Sequence, residues 1–326
     1  AKGIEARVVP ELGYDLELMQ VRGLKGAGAL GVFKGVAKLP LAGIDAMRLV
    51  RRLAPSLVVS VGGYAAGPFT MAAAAMGVPT ALMEQNTVPG VTNRLLGRVV
   101  RRAFLTYASS APFFKGATTE TLGNPLRLVL VDAARAFSYV PPVRGETVRV
   151  LVLGGSGGAL SLNQGVPRAL GALEELGEYL HVTHQVGAQH GGVVADAYAE
   201  AGFTGRVDVV DFIEDMASAY AAQHLLLCRA GATTIAEVLA FGLPAVYIPF
   251  PGAADDHQTK NAEDIVTAGG GVMVPDAEVD TGRLTAIVRG LVHNPQSLSS
   301  LATVARESGR PGAGEAIAKA CLGLMS

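Results

Sequence analysis

The stretch that most constrains this chain is LLLCRAGATTIAEVLAFGLPAVYIP, residues 225–249. An apolar run, Leu225 to Cys228, breaks at Arg229-Ala230-Gly231. A pattern with helical spacing follows, stops at Gly242, and gives way to a second apolar run, Ala245 to Ile248. Strand, tight turn, helix and strand make a parallel crossover, and such crossovers are right-handed. The turn joins a glycine, which admits a ligand close to the backbone, to Thr233 and Thr234 as candidate caps of the helix start. Free N–H groups and the positive end of the helix dipole would converge there, suiting an anion such as a diphosphate. Glu237, one turn in, can accept hydrogen bonds from sugar hydroxyls. The alternative, a buried crossover needing glycine for sterics alone, stays open on this stretch by itself.

Composition narrows the class. At 326 residues the chain has room for two domains. It is 50% hydrophobic and only 17% charged, with mean hydropathy +0.35, yet it has no uncharged apolar run of the roughly 18 residues a bilayer span needs. So apolar a chain implies parallel sheets buried on both faces, and an adhesive surface patch. A net charge of −1 excludes a general nucleic-acid binder, so no nucleic acid is expected as a partner. Cys228 and Cys321 make no disulfide framework and read as reduced core thiols of a cytoplasmic protein. The six histidines lack metal-ligand spacing, and neither a metal nor a cofactor is expected. Lys25, Lys34 and Lys38 interleave with Leu30, Phe33 and Val36. With Arg98, Arg101 and Arg102 they suit an anionic membrane surface, solvated helix faces being the alternative.

The rest of the chain alternates in the same manner. Glu5 to Pro10 reads as the approach to a strand already inside a fold, and a first strand with its loop is expected before Ala1. A strand is predicted over Tyr14–Val21, then a helix over Ala29–Met47 that Pro40 kinks or splits. Strand Leu57–Val61 breaks into Gly62-Gly63-Tyr64, followed by helix Gly67–Met76. Strand Pro79–Glu84 ends in the polar trio Glu84-Gln85-Asn86, where ligands meet open sheets. Helix Val91–Val100 and short strands from Phe104 onward complete the first run. The pattern loosens from Asp132 to Val148, and 139–146 is linker-like. It restarts with strand Arg149–Leu153, the glycine loop Gly154–Gly158 and helix Ala159–Leu173. Strands His181–Gln185 and Val207–Val210 follow, with helices Val193–Ala201 and Met216–Ala222. After the opening crossover come helices Gln258–Ala268 and Thr281–His293 around strand Val272–Val274, then one or two helices over Ser297–Leu322. The fold class is α/β, doubly wound, twice over.

Several loops are candidates for chemistry. The glycine loop has the strand–glycine–helix context of a phosphate site, without the Lys-Ser/Thr ending of a P-loop, and tight packing remains the alternative. In Pro249–Asn261, the residues Asp255, Asp256, His257, Gln258 and Asn261 either line a pocket or cap the following helix, and the spacing favours capping. The turn Phe212–Met216 either presents backbone groups to a flat ring or simply starts a helix. His181 and His184 read as strand residues, and no Ser-His-Asp arrangement is apparent.

Six segments in order and spacing carry a resemblance: VGGYAAGP (61–68), EQNTVPGVTN (84–93), GNPLR (123–127), LGGSGGALSLNQ (153–164), DFIEDMASAY (211–220) and CRAGATTIAEVLAFGLPAV (228–246). The chain resembles the MurG family of UDP-N-acetylglucosamine transferases, which convert lipid I to lipid II in peptidoglycan synthesis. The resemblance implies two Rossmann-like domains facing a cleft (the GT-B glycosyltransferase architecture). They would be an N-terminal acceptor and membrane-facing domain over 1–126, a UDP-GlcNAc-binding domain over 127–308, and a final helix over 309–326 returning to the first. It implies UDP-GlcNAc and lipid I as substrates, transfer to the C4 hydroxyl with inversion, and a peripheral place on the cytoplasmic side of the bacterial inner membrane. Ser156 matches a nucleotide-contacting serine and Ile213 a residue at the uracil ring. Ala232, Thr233, Thr234, Ile235, Ala236 and Glu237 match the turn that holds diphosphate and ribose, with Glu237 on the ribose hydroxyls. Gln258 matches a glutamine at the sugar, aligned backward from Asn261 across a one-residue insertion. Asn86 and Arg127 match positions lining the donor cleft. Gly157 stands where the family commonly has Gln, and the family's GGTGGH loop with its proposed catalytic-site histidine is expected before Ala1. The alternatives are a UDP-sugar-binding relative without transferase activity and another GT-B enzyme such as a UDP-GlcNAc 2-epimerase.

Overall fold

The structure is a computed structural model that describes residues 5–19, 39–63, 66–155, 157–188 and 190–325. Its second half contains the opening crossover and shows why those residues read as they do. Strand β5 (Val148–Leu153) sits at the centre of a parallel sheet with β6 (Leu180–Gln185) and β7 (Arg206–Val210) on one side. On the other lie β8 (Leu225–Cys228), β9 (Ala245–Tyr247) and β10 (Val272–Met273). Successive side chains of a strand face opposite ways. Val150, Val152, Leu225 and Leu227 accordingly join one core layer, and Leu151, Leu153, Leu226 and Cys228 the other. Both layers are apolar, so the strands read as unbroken hydrophobic runs. Burial in the second layer also lifts the Cys228 thiol to about 12, leaving it an unreactive core group.

In the first half, β1 (Val58–Ser60), β2 (Thr80–Glu84), β3 (Arg102–Leu105) and β4 (Thr118–Thr121) form a second parallel sheet in that order. Two expectations fail here. Glu5–Glu11 is a helix, α1, closed by Gly13 at φ 79°, with Gly13 N–H on the Pro10 carbonyl and Tyr14 N–H on the Val9 carbonyl. That pair of bonds around a left-handed glycine is a helix terminator, and Gly13 was the signal for it. Residues 14–19 form no strand, and the predicted helix before Leu39 and the strand's end at Val21 lie outside the described residues. Helix α2 is Leu39–Leu53, with Pro40 in its first turn, where a missing N–H costs nothing. Helices α3 (Ala66–Ala75) and α4 (Val91–Leu96) flank the sheet.

Helix α5, Leu128–Ala136, extends into the region where the pattern loosens, because Leu130, Val131 and Ala134 share one buried stripe. The second-half helices are α6 (Leu160–Gly171), α7 (Gly191–Glu200), α8 (Met216–Ala221), α9 (Ala232–Phe241), α10 (His257–Thr267), α11 (Arg283–His293) and α12 (Pro295–Ser308). A last helix, α13 (Ala313–Met325), leaves them: its Ile317 packs on Ala81 and Phe104 of the first sheet.

The two sheets turn their C-terminal edges toward each other, and Asn261 of α10 joins them. It is fully buried; its Oδ1 accepts from the Thr87 backbone N–H at 2.9 Å and the Thr87 hydroxyl at 3.0 Å. Its Nδ2 donates to Asn86 Oδ1 at 3.1 Å and to the Ala230 carbonyl at 3.4 Å. Loops beyond β2 and β8 thus share one amide. Asn261→Ala would strand a buried N–H and hydroxyl, and should lower stability by about 1–3 kcal/mol. Denaturant unfolding of the variant beside the wild type measures it, and coincident curves would deny Asn261 this role.

Candidate donor site at the facing strand ends

The site lies where the loops after β5, β7 and β8 meet the loops after β2 and β4. In the glycine loop, packing and openness fall on different glycines. A Cβ on Gly158 (φ 74°) would sit 2.0 Å from the Val186 carbonyl oxygen, whereas one on Gly155 (φ 89°) would meet nothing within 4 Å. The loop is tight on the side of β6 and open on the other. Ser156 lies outside the described residues.

The start of α9 forms the second corner. Its N-cap is Gly231 (φ −66°, ψ 139°), and no side chain caps it. The expected threonine caps are therefore corrected. Thr233 Oγ1 instead accepts from Asn124 Nδ2 at 3.3 Å, a contact with the loop after β4. The first intrahelical bond runs from Ile235 N–H to the Gly231 carbonyl at 2.9 Å, so the N–H groups of Ala232, Thr233 and Thr234 have no acceptor within the helix. Ala232 and Ile235 are buried, which limits them to backbone contacts with any ligand, while Ala236 is half-buried.

Glu237 stands one turn further, half-buried. The Tyr220 hydroxyl donates to its Oε2 at 2.8 Å. Burial holds its carboxyl above the ordinary value, against the opposing pull of the Tyr220 bond and the Arg127 cation. Arg127 itself is the exposed N-cap of α5. Gln258, in the first turn of α10, accepts the Phe250 N–H on Oε1 at 2.9 Å, which holds the 249–258 loop. Asn86 donates its backbone N–H to Glu84 Oε1 at 2.9 Å, and Glu84 Oε2 takes Asn93 Nδ2 at 2.8 Å. Ile213 lies after β7, but its N–H donates to Gln185 Oε1 at 3.0 Å. That group is therefore not available to a ring.

The capping expectation for 249–261 also changes. Asp256, at φ 54°, makes no side-chain cap and instead accepts the Thr259 hydroxyl at 2.6 Å. Asp255, at φ 53°, pairs with Arg94 at 3.2 Å across the two halves. Arg102 does not join a basic face but pairs with Glu120 of β4.

Sequence reasoning missed Gln185, Tyr220, Asn124 and a buried knot in which Arg229 binds Asp276, Ser161 Oγ (2.7 Å) and the carbonyls of Ile248 and Pro249 (3.1 Å each). In the polar-rich strand LHVTHQ nothing set Gln185 apart, and Tyr220 likewise gave no signal. Among the described residues no group of His, Cys, Asp and Glu could hold a metal.

A carboxylate accepts sugar hydroxyls best when ionised. If Glu237 holds a ribose, as the resemblance implies, affinity for a uridine nucleotide should be full above its raised pKa and fall as pH drops through it. Tyr220→Phe removes one lowering influence, so the fall should begin at higher pH, with about 1 kcal/mol lost at neutral pH. Calorimetric titration with UDP across the weakly acid range checks this; superimposed profiles would separate Tyr220 from Glu237.

Comparison with known proteins gives this geometry a family. Residues 149–317 match the glycosyltransferase family 28 C-terminal domain, and residues 1–105 match its N-terminal domain. The UDP-N-acetylglucosamine–N-acetylmuramyl-(pentapeptide) pyrophosphoryl-undecaprenol N-acetylglucosamine transferase of Myxococcus xanthus is 45% identical over 325 residues, 99% of this chain and 83% of the relative. The crystal structure of Acinetobacter baumannii MurG superposes with TM-score 0.80 at 30% identity, covering 98% of this chain and 88% of that one. A UDP-GlcNAc 2-epimerase from Neisseria meningitidis, solved with UDP-GlcNAc bound, reaches TM-score 0.63 at 12% identity over 97% of this chain and 88% of its own, a likeness of fold alone. The two half-chain matches and the full-length likeness agree: this chain belongs to glycosyltransferase family 28, among the UDP-N-acetylglucosamine–N-acetylmuramyl-(pentapeptide) pyrophosphoryl-undecaprenol N-acetylglucosamine transferases.

Proposed function

We propose that the protein transfers N-acetylglucosamine from UDP-GlcNAc to lipid I, giving lipid II in peptidoglycan synthesis. In a chain of this family, the observation that carries the reading is the uncapped start of α9 with Glu237 one turn behind it. Donors there suit a diphosphate, and an ionised carboxylate suits the hydroxyls of a ribose.

Inverting transfer needs three things from the protein. The acceptor C4 oxygen bonds to the anomeric carbon on the face opposite the diphosphate; its proton passes to a general base, and UDP leaves with the electron pair. Charge therefore grows on the departing diphosphate. The three free N–H groups of α9 and its dipole are fixed before the reaction, so they need no reorganisation when that charge appears. The open side of the glycine loop, with Ser156, would complete the phosphate corner. Gln258 would read the sugar, Asn86 and Arg127 would line the donor cleft, and Ile213 would lie at the uracil ring through its side chain or carbonyl.

Division at residues 126/127 and 308/309 fits the change of sheet and the departure of α13. The membrane reading draws support from Val91, Leu95, Val99 and Phe113, all well exposed beside Arg94, Arg98 and Arg101. Among the described residues no helix is long and apolar enough to cross a membrane. The epimerase alternative has only a shared fold behind it, and nothing observed favours a binding-only protein.

The test is GlcNAc transfer by the full-length protein to a lipid I analogue, with the anomeric configuration of the product read by NMR. Binding of UDP-GlcNAc without transfer would overturn the reading. Glu237→Ala should weaken UDP by about 1–3 kcal/mol, the cost of losing a charged hydrogen bond, and an unchanged affinity would remove the ribose from Glu237.

A further inference from the structure

Gln185 closes β6 at the C-terminal edge of the second sheet, between two strands whose following loops both belong to the proposed donor site. In register it lies beside Leu153 of β5, which leads into the glycine loop, and beside Val210 of β7, which leads into the turn at Ile213. The residue is 4% exposed, so its amide serves the protein and not solvent.

That amide spans the two loops. Nε2 donates to the Gly155 carbonyl at 3.2 Å, and Oε1 accepts the Ile213 N–H at 3.0 Å. A flipped amide would set oxygen against carbonyl oxygen and NH2 against N–H, so only this orientation satisfies both partners. The Gly155 carbonyl also takes the Gly158 N–H at 3.0 Å, which makes the amide part of the glycine turn itself. Beneath it the chain has little room to adjust. Val186 N–H donates to the Val210 carbonyl at 3.0 Å, Gly187 N–H to the Asp211 carbonyl at 3.2 Å, and Asn163 Nδ2 to the Val186 carbonyl at 3.0 Å.

We infer that Gln185 is a positioning residue for donor recognition: it fixes the spacing between the glycine loop and the Ile213 turn, and so the protein's choice of uridine over other pyrimidine diphosphates. The inference rests on the proposed placement of phosphate at the glycine loop and of the ring at Ile213. Uracil and cytosine have the same size and differ along their hydrogen-bonding edge. Telling them apart requires polar groups that do not move to suit the wrong base. The glutamine supplies that rigidity by consuming one group of each loop.

The experiment compares wild type, Gln185→Glu and Gln185→Met in the full-length protein. The first keeps an acceptor for Ile213 N–H but sets a carboxylate oxygen against the Gly155 carbonyl; the second keeps the length and removes both bonds. KM for UDP-GlcNAc should rise about tenfold in each, and the preference for UDP over CDP as inhibitor should fall by a similar factor. KM for the lipid acceptor should stay at its wild-type value, while the thermal midpoint falls modestly, since each variant loses buried hydrogen bonds. Variants that keep the wild-type donor KM and UDP/CDP ratio overturn the inference. So do variants in which the KM values for donor and acceptor rise together with the UDP/CDP ratio unchanged, since that marks a part of the fold alone. A wild-type protein indifferent to the base would overturn the placement of the ring at Ile213 itself, a separate and recognisable failure.

Discussion

Burial of the β5–β8 pair on both faces is the constraint from which the rest follows. Leu151 and Leu226 face one core layer while Val152 and Leu227 face the other, so these strands have no solvent side. Parallel strands of that kind need crossover helices on both faces, and right-handed crossovers deliver every loop after a strand to the same edge. The glycine loop, the Ile213 turn and the start of α9 therefore meet once the strands beneath them pair. The chemistry collects at the carboxyl edge because the hydrophobic core leaves the chain nowhere else to turn.

A second sheet built the same way adds the other wall, and the two are joined by polar contacts. Asn261 takes the Thr87 N–H and gives to Asn86 and Ala230; Asn124 reaches Thr233; Arg94 reaches Asp255. Gln258 and Asn261 are three residues apart on α10 and so share a face. One helical turn thus carries both the amide that holds the Phe250 loop and the amide that holds the loop of Asn86. The return of α13 to the first sheet through Ile317 supplies a separate apolar tie, one that depends neither on the cleft nor on any ligand.

The central elements were legible because their signals are local. An apolar run, a glycine and a helical period describe β8, α9 and β9 whatever surrounds them, and Leu225–Cys228 is recovered to the residue. Legibility fails where tertiary partners decide. Thr233 and Thr234 are good capping residues, yet Gly231 holds the cap position and Thr233 turns to Asn124, which lies 109 residues earlier. Asn261 follows a polar run that looks like a helix start, but its burial against Thr87 is invisible to periodicity. Arg102 reads as one more cation in a basic cluster until strand pairing sets it beside Glu120. Gln185 and Tyr220 act through side chains that reach a neighbouring strand end and a neighbouring helix, and spacing along a single element carries no trace of either.

What the cleft offers a ligand is set by which polar groups the protein leaves over. Buried backbone donors are almost always paired, so the few without a partner define a site more sharply than the many that have one. Ile213 N–H goes to Gln185 and Phe250 N–H to Gln258, and both loops are stiffened at the cost of a donor. At α9 the arrangement is the reverse: no side chain caps the helix, and three N–H groups face the same space as the dipole's positive end. A neutral ligand gains little from such a place, whereas a diphosphate gains from every donor at once. Glu237 keeps this from becoming a general anion hole. Half-buried and held by Tyr220, its carboxylate sits one turn beyond those donors, where on the proposed reading it would accept hydroxyls and disfavour an anion that presents none. On the proposed reading, the same short helix start would attract a diphosphate and favour a sugar beside it, which is the pairing of groups that a nucleoside diphosphate donor carries.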